Sequence, residues 1–308
     1  MISSNMQTKT SVDVIFNAAR IAGDRAHIPN DIREIFSARA INARISLAAN
    51  AEELPVLARR AAQGDSETIV AGGGDGTINA VAAAVQRTGK ALGVLPLGTF
   101  NHFAKDLHIP LDLQGAAETI IAGHSTQVDV GEVNGHIFLN NSSLGLYPSM
   151  VSERRRHQRL GTGKWPAFFW AGLTVFRRYP FMEVRLSTKG NEFVSRTPLV
   201  FVGNNEYEME GFDVGARACL NAGKLSLYIT HRMGRLGLIR LVLRALLGGV
   251  SKEKDFIALC TEEIWLQTRH RHLRVSMDGE VMVMQPPLHY RVLPLSLRVL
   301  VPESGELV

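Results

Sequence analysis

Cysteine and long apolar runs are both scarce in this chain. Only two cysteines occur in 308 residues, Cys219 and Cys260, and their separation fits neither a disulfide framework nor a metal-ligand spacing. No run of about 18 uninterrupted apolar residues exists, so no transmembrane helix is expected. The first ten residues are polar and lack the hydrophobic core of a signal peptide. These absences predict a cytoplasmic protein.

Neither sign of charge dominates. The chain has 34 basic and 29 acidic residues, which gives a net charge of +5. This mild excess suits an anionic membrane surface, a nucleotide or nucleic acid, and equally a basic protein without an anionic partner. No base-stacking motif accompanies the charge, so nucleic acid is not expected as a partner. The length suggests two domains, with a single large one as the alternative.

A glycine-rich segment, AGGGDGT at residues 71–77, stands between an apolar run at 68–70 and a helical pattern from Ile78. This order predicts a strand, a glycine loop and a helix. Backbone N–H groups at a helix N-terminus favour an anion, and the absence of side chains lets the backbone approach a polyphosphate closely. Asp75 needs a different role: holding a metal ion, orienting a donor, or accepting a proton from a hydroxyl. The loop has no P-loop lysine and is therefore not a Walker A motif.

A second glycine turn follows another short apolar strand. The segment PLGTFNHFA covers residues 96–104, in which Gly98 permits a tight turn and Thr99 and Asn101 offer polar groups to phosphate or ribose. Ligands of open α/β sheets bind beyond the carboxyl ends of the strands, so both turns are expected at one sheet edge.

The two halves of the chain have different periodicities. Strands at 12–16, 41–47, 68–71 and 91–95 alternate with helices at 51–63, 77–87 and 114–122, which predicts a parallel, wound sheet. From about residue 128 the patterns are those of an antiparallel β sandwich, which begins with a hairpin around Asn134-Gly135. We therefore expect an α/β domain at 1–127 and an all-β domain at 128–290.

Taken together, GGGDGT, LPLGTFNHFA and a late Met277-Asp278-Gly279-Glu280 resemble the diacylglycerol kinase catalytic-domain family, which includes bacterial lipid kinases and the sphingosine and ceramide kinases. The family patterns are GGDGT, LPxGTxNDFA and DGE, in that order, and the resemblance covers nearly the whole chain. It implies that 1–127 is a nucleotide-binding domain like that of NAD kinase and phosphofructokinase, rejoined by 291–308, and that 128–290 is a lipid-substrate domain. It also implies a cleft toward which Asp278 and Glu280 reach from the second domain.

The resemblance implies transfer of the γ-phosphoryl group of ATP, with Mg²⁺, to the hydroxyl of diacylglycerol or a similar lipid. The implied nucleotide-binding residues are Asn17, Gly72, Gly73, Gly74, Asp75, Gly76, Thr77, Asn79, Gly98, Thr99 and Asn101. Asp75 is the expected metal ligand. Three carboxylates are candidate bases, with Glu280 preferred, then Asp278, then Asp75. The lipid would be met at a membrane surface by peripheral contact, and a homodimer is a further candidate assembly.

The chain departs from the family pattern at several positions. Only Asn17 matches the N-P-x-S-G turn, Ala48 or Ala49 replaces a threonine, and His102 replaces the aspartate of N-D-F-A. Ala222 replaces an aspartate that holds a structural Mg²⁺ in bacterial relatives, so this second metal site is not expected. Such losses keep a catalytically inactive nucleotide-binding regulator as one alternative.

Three further interpretations stay open. Asn204-Asn205-Glu206 faintly resembles the N-E motif of NAD kinases, which makes an enzyme that phosphorylates a nucleotide the second alternative. The arginine-flanked aromatic segment at 153–178 suits a membrane interface or a helix packed on the sandwich. The helical pattern at 236–247 fits a helix that covers a sheet better than a lipid probe.

Overall fold

The computed structural model describes residues 11–145, 182–188, 191–210, 213–217, 219–230 and 256–303. The segments at 153–178 and 236–247 lie outside these residues. The described helices are α1 (Ile28–Ser37), α2 (Leu54–Gln63), α3 (Asp75–Val85), α4 (His102–Asp106) and α5 (Leu113–Ala122). Two turns of 3₁₀ helix, Ala18–Arg20 and Gly23–Arg25, precede α1.

The described strands fall into two groups along the chain. The first group is β1 (Ser11–Asn17), β2 (Asn42–Ala48), β3 (Thr68–Gly73), β4 (Ala91–Pro96), β5 (Ser125–Val133), β6 (His136–Phe138), β7 (Asn141–Gly145), β8 (Met182–Thr188) and β9 (Asn191–Thr197). The second is β10 (Leu199–Asn204), β11 (Tyr207–Glu210), β12 (Asp213–Arg217), β13 (Leu225–Thr230), β14 (Phe256–Thr261), β15 (Glu263–Thr268), β16 (Leu273–Met277), β17 (Glu280–Met284) and β18 (Leu288–Leu300).

The chain divides into two compact units. Unit 1 runs to Val128 and takes in the chain again from Leu295, whereas unit 2 is Asp129–Pro294. The strand β18 crosses the second boundary: Leu288 pairs with Leu266 of β15 in unit 2, and Arg298 pairs with Ala91 of β4 in unit 1.

Unit 1 is built on a parallel sheet in the order β2-β1-β3-β4, followed by the end of β18. Every residue of β4 is buried, as expected for a parallel strand covered on both faces. Helix α5 begins at an Asp112 cap, whose carboxylate accepts from the Gly115 amide at 2.8 Å, and it ends at Gly123 with φ +74°. Because the strands are parallel, β3 and β4 end at the same sheet edge, and the two glycine turns begin there.

Unit 2 is an antiparallel sandwich. One sheet has the order β14-β13-β10-β7-β16-β17, and the other contains β18, β15, β8 and β9. Buried side chains from both sheets, such as Leu144, Val200 and Val275 on one and Val184 and Leu266 on the other, form one core. The predicted α/β plus β-sandwich fold class is therefore confirmed, as is the Asn134-Gly135 hairpin, in which Gly131 pairs with Phe138. No helix within the described ranges is long and apolar enough to span a bilayer.

Candidate active site

The glycines of β3 are required by packing within unit 1. A Cβ added at Gly72 would overlap the Phe16 ring of β1, and one added at Gly73 would overlap the Thr77 side chain of α3. These contacts bring the end of β3 against its neighbouring strand and the following helix. Gly72 and Gly73 therefore shape the loop, and Thr77 is almost fully buried beneath it.

The two glycine turns touch each other. A Cβ at Gly98 would lie 2.6 Å from the Gly74 Cα and 2.5 Å from the Asn101 Oδ1, so no side chain fits between the turns. The Leu97 amide also donates to the Gly73 carbonyl at 2.9 Å. We call residues 74–77 together with Gly98 the phosphate bend: three of these five residues are glycines, Thr77 is buried, and Asp75 has the one side chain that is not buried. Two separate sequence motifs thus form one feature.

The phosphate bend offers backbone donors. The amides of Thr77 and Ile78 donate to the Gly74 carbonyl at 2.9 and 3.0 Å, which starts α3. The amides of Asp75 and Gly76 have no partner within the part of the chain that the structure describes. The first amides of a helix have no intrahelical acceptor, and the helix dipole adds positive potential there. The bend therefore fits an anionic group, and its shape admits one because no Cβ fills it.

Asn101 holds the second turn in place. It adopts the left-handed conformation, with φ +50°, and its Oδ1 accepts from the Gly98 amide at 2.9 Å. Its Nδ2 donates to the carbonyls of Pro96 and Gly98, both at 3.2 Å. The predicted ligand-binding amide is thus engaged within its own loop, where it fixes Gly98 against Gly74. Thr99, by contrast, is exposed beside it.

Asp75 is the first residue of α3 and is half-buried. Its Oδ1 accepts from the Phe103 amide of α4 at 3.4 Å, which directs the carboxylate toward the second turn. No group of three or more His, Cys, Asp or Glu side chains that could hold a metal ion occurs among the described residues. A Mg²⁺ ion at Asp75 would therefore take most of its oxygen ligands from phosphate and water, which Mg²⁺ tolerates well.

Two further predicted nucleotide contacts lie around the bend. Asn17 ends β1, whose Phe16 pairs with Gly72, and its Oδ1 accepts from the Ala19 amide at 3.0 Å. Asn79 lies in the second turn of α3 and is half-buried. Both belong to unit 1, close in sequence or in strand register to the glycines.

In unit 2, the turn between β16 and β17 contains the other predicted carboxylates. We call residues 278–280 the carboxylate turn. Asp278 has φ +46°, and its Oδ2 accepts from the Leu139 amide at 2.7 Å. Its Oδ1 accepts from the amides of Asn140 at 2.8 Å and Asn141 at 3.1 Å. Three backbone donors occupy this carboxylate, so its arrangement is that of a structural anchor more than of a free proton acceptor.

A buried guanidinium binds the same backbone segment through its carbonyl groups. Arg217 donates to the Leu139 carbonyl at 2.6 Å and to the Asn140 Oδ1 at 3.3 Å. The Asn204 Nδ2 also donates to the Leu139 carbonyl, at 3.0 Å. The N–H groups of residues 139–141 therefore bind the half-buried Asp278 carboxylate, and the Leu139 carbonyl binds the buried Arg217 guanidinium, so both charges have polar partners.

Glu280 is exposed at the start of β17, two residues from the anchored Asp278. No hydrogen bond or ion pair to its carboxylate is found among the described residues, so it is the accessible carboxylate of the turn. The nearby Tyr290 hydroxyl is a poor alternative base. It is fully buried against Ser142, and burial raises its pKa, which keeps the phenol protonated.

The departures from the family pattern have local explanations. The exposed His102 ring stacks on Phe100 with 5.6 Å between ring centroids, at the start of α4. In the loop that contains Ala222, the Gly223 amide donates to the Asp129 carboxylate at 2.7 Å and the Ala222 amide donates to the Asn205 Oδ1 at 3.1 Å. Side chains of Asp129 and Asn205 thus hold this loop in place.

The structure brings the predicted residues together in two sets, one in each unit. Gly72 to Thr77, Gly98 and Asn101 form one set, and Asp278 and Glu280 form the other. The partners of Asp278 and the buried Arg217 were missed from the sequence, since they lie in no motif. Arg20 and Arg25 lie in no motif either: the Arg25 Nη1 donates to the Leu97 carbonyl at 3.1 Å, and the Arg20 Nη2 lies 4.0 Å from the position of a Cβ on Gly74.

Two family models match the chain. The model described as "Diacylglycerol kinase catalytic domain" matches residues 11–133, and the one described as "YegS C-terminal NAD kinase beta sandwich-like domain" matches residues 146–301. Curated proteins named diacylglycerol kinase from Staphylococcus aureus strains JH9 and Newman are 30% identical over 226 residues. Each match covers 72% of this chain and 71% of the relative.

Solved structures from Bacillus anthracis str. Sterne have the same fold. A diacylglycerol kinase aligns with TM-score 0.69 and 20% identity, covering 96% of this chain and 98% of that chain. A second protein of that organism aligns with TM-score 0.75 and 21% identity, covering 99% and 100%. At these identities the structures show the fold alone, and the resemblance found in the motifs is confirmed by the family models and the curated relatives.

Proposed function

Because the chain belongs to the diacylglycerol kinase family and is thus a kinase, we propose that it transfers the γ-phosphoryl group of ATP to the hydroxyl of diacylglycerol or a similar lipid. The observation that carries this proposal is the contact of Gly74 with Gly98 beside the Asp75 and Gly76 amides. Phosphoryl transfer depends on positioning and on neutralising charge, and the two preorganised amides position a phosphate and offset part of its charge.

Asp75 and Glu280 take different roles in this proposal. Asp75 would hold Mg²⁺ directly or through water, and a bound Mg²⁺ neutralises charge on the phosphate oxygens. Glu280 would accept the proton of the lipid hydroxyl as that oxygen bonds the γ-phosphorus and the bond to the leaving ADP oxygen breaks. Glu280 suits this role because it is exposed and unpaired among the described residues, whereas Asp278 already accepts three amides.

One observation counts against the NAD kinase alternative. The Asn204 Nδ2 donates to the carbonyls of Asp129 and Leu139, and the Asn205 Oδ1 accepts from the Ala222 amide. Both asparagines are almost fully buried, so these hydrogen bonds give them a structural role within unit 2, although Glu206 beside them is exposed. The resemblance of this segment to NAD kinases therefore has a structural explanation.

The experiment that tests the proposal follows the label of [γ-³²P]ATP. The full chain is incubated with Mg²⁺ and a total lipid extract in detergent micelles, and in parallel with NAD. We expect label in a lipid phosphomonoester that extracts into organic solvent. Label in NADP would favour the NAD kinase alternative, and nucleotide binding without transfer to any lipid would favour an inactive regulator.

A further inference from the structure

The phosphate bend lacks basic side chains of its own. Residues 71–77 and 96–101 contain no lysine or arginine, and their one charged side chain is the anionic Asp75. Backbone amides and a helix dipole supply only partial charges, whereas a triphosphate carries several full ones. Cations from elsewhere in unit 1 would therefore strengthen binding at the bend.

Two arginines reach the bend from the segment after β1. The 3₁₀ turns Ala18–Arg20 and Gly23–Arg25 follow β1, and each ends on one of these arginines. Arg25 donates from Nη1 to the Leu97 carbonyl at 3.1 Å, immediately before Gly98. The Arg20 Nη2 lies 4.0 Å from the point that a Cβ on Gly74 would occupy, so this guanidinium stands at the bare side of the bend.

The two guanidinium groups differ in their partners. Arg25 is bound to a backbone carbonyl, whereas Arg20 is exposed and has no hydrogen bond or ion pair among the described residues. Arg44 of the same unit shows the contrast: it binds Asp13 at 2.8 Å and Asp65 at 2.6 Å, and both bonds raise its pKa. Arg20 thus keeps its donors available beside the unpaired amides of Asp75 and Gly76.

We propose that Arg20 binds phosphate oxygens of the nucleotide donor at the phosphate bend and makes this bend selective for a nucleoside triphosphate over a monophosphate. Arg25 is a positioning residue that holds the second turn through Leu97. Arginine suits this role because its planar donors bind phosphate with charge-assisted hydrogen bonds. This inference rests on the proposed function, since it concerns the same donor site.

The test is nucleotide binding by the full chain, measured by titration calorimetry with a non-hydrolysable ATP analogue and with AMP. Arg20→Gln should weaken binding of the ATP analogue about tenfold or more, the loss expected for one charged hydrogen bond, and should leave AMP binding unchanged. Arg20→Lys should recover part of the loss. Arg39→Gln, which removes an exposed arginine just after α1 in the same unit, serves as the matched control and should bind like wild type.

The outcomes separate this inference from the proposal on which it rests. Equal affinity of wild type and Arg20→Gln for the ATP analogue would overturn the role of Arg20 and leave the donor site standing. Equal losses for the ATP analogue and AMP would overturn the phosphate contact. If wild type itself does not bind the analogue, the proposed function fails, and the inference fails with it. Thermal unfolding of each variant checks that the fold is retained.

Discussion

The phosphate bend of unit 1 and the carboxylate turn of unit 2 are built in opposite ways. The bend is made of backbone from which side chains are excluded, so that Gly74 lies against Gly98. The turn is made by a charged side chain, Asp278, which draws three backbone amides to itself. The bend depends on the absence of side chains at Gly74 and Gly98, and the turn depends on the three hydrogen bonds that the Asp278 carboxylate accepts.

This difference teaches which substitutions each region tolerates. Adding a Cβ at Gly98 should damage the bend, because its nearest neighbours would be the Gly74 backbone and the buried Asn101 side chain. Removing a charge should damage the turn, because its partners would be left without an acceptor. Each region also contains a carboxylate that contributes little to stability, namely Asp75 in the bend and Glu280 in the turn. We expect these two residues to matter for activity.

The largest expected effect is on activity at the bend. Asp75→Asn should abolish lipid phosphorylation and keep the fold, because the weak 3.4 Å contact with the Phe103 amide can be kept by an amide oxygen. Loss of the charge removes the proposed metal ligand. The assay is transfer of label from ATP to lipid, with circular dichroism as the control. Wild-type turnover in this variant would remove Asp75 from the chemistry.

The next effect belongs to the accessible carboxylate of the turn. Glu280→Gln should lower turnover by about 10²- to 10⁴-fold, the range typical of a lost general base, and leave nucleotide affinity unchanged. Steady-state kinetics with varied ATP and lipid would measure both. Glu192→Gln, which changes a 60% exposed carboxylate on β9 of the same unit, is the matched control. An unchanged turnover in Glu280→Gln would move the base to Asp278 or Asp75.

Asp278→Asn should act mainly on stability. The amide nitrogen cannot accept, so at least one of the amides at 139–141 loses its partner, at a cost of about 2 kcal/mol in the free energy of unfolding. Urea unfolding followed by tryptophan fluorescence is the measurement, and Trp265 on β15 reports on unit 2. Glu280→Gln in the same turn should leave the midpoint unchanged. Equal stability of the two variants would show that the three amides contribute little.

An effect of similar size, divided between stability and nucleotide affinity, is expected from widening the bend. Gly98→Ala would place a Cβ 2.6 Å from the Gly74 Cα, so the two turns must separate, at a cost of about 1–3 kcal/mol that falls on nucleotide affinity as well as on stability. Gly64→Ala, whose added Cβ would lie 3.3 Å from the Ala61 carbonyl and whose φ is −74°, is the matched control. If both variants bind the ATP analogue with wild-type affinity, the close contact of Gly74 with Gly98 is not required for nucleotide binding.

Much of the fold was predictable because it follows from local patterns. Alternating apolar strands and amphipathic helices predicted the parallel sheet of unit 1, and Asn134-Gly135 predicted a hairpin, since both residues accept the positive φ that its turn requires. Helices α1 and α4 were not predicted. Helix α4 has only five residues, which is too short for a helical periodicity to show.

The site was predictable only in part. The glycine motifs located the bend, but not the direction in which Asn101 points, because its left-handed conformation turns the amide back into its own loop. The anchoring of Asp278 depends on amides 137 to 139 residues away in the chain, and no sequence spacing encodes such pairs. A motif predicts which residue types lie at a site, whereas contacts distant in sequence determine whether a carboxylate there is already hydrogen-bonded.

The most direct test of the account is a crystal structure of the chain with a non-hydrolysable ATP analogue and Mg²⁺. We predict phosphate oxygens within hydrogen-bond distance of the Asp75 and Gly76 amides, with Gly74 and Gly98 still in contact. A nucleotide bound elsewhere, with these amides facing no phosphate, would contradict the account.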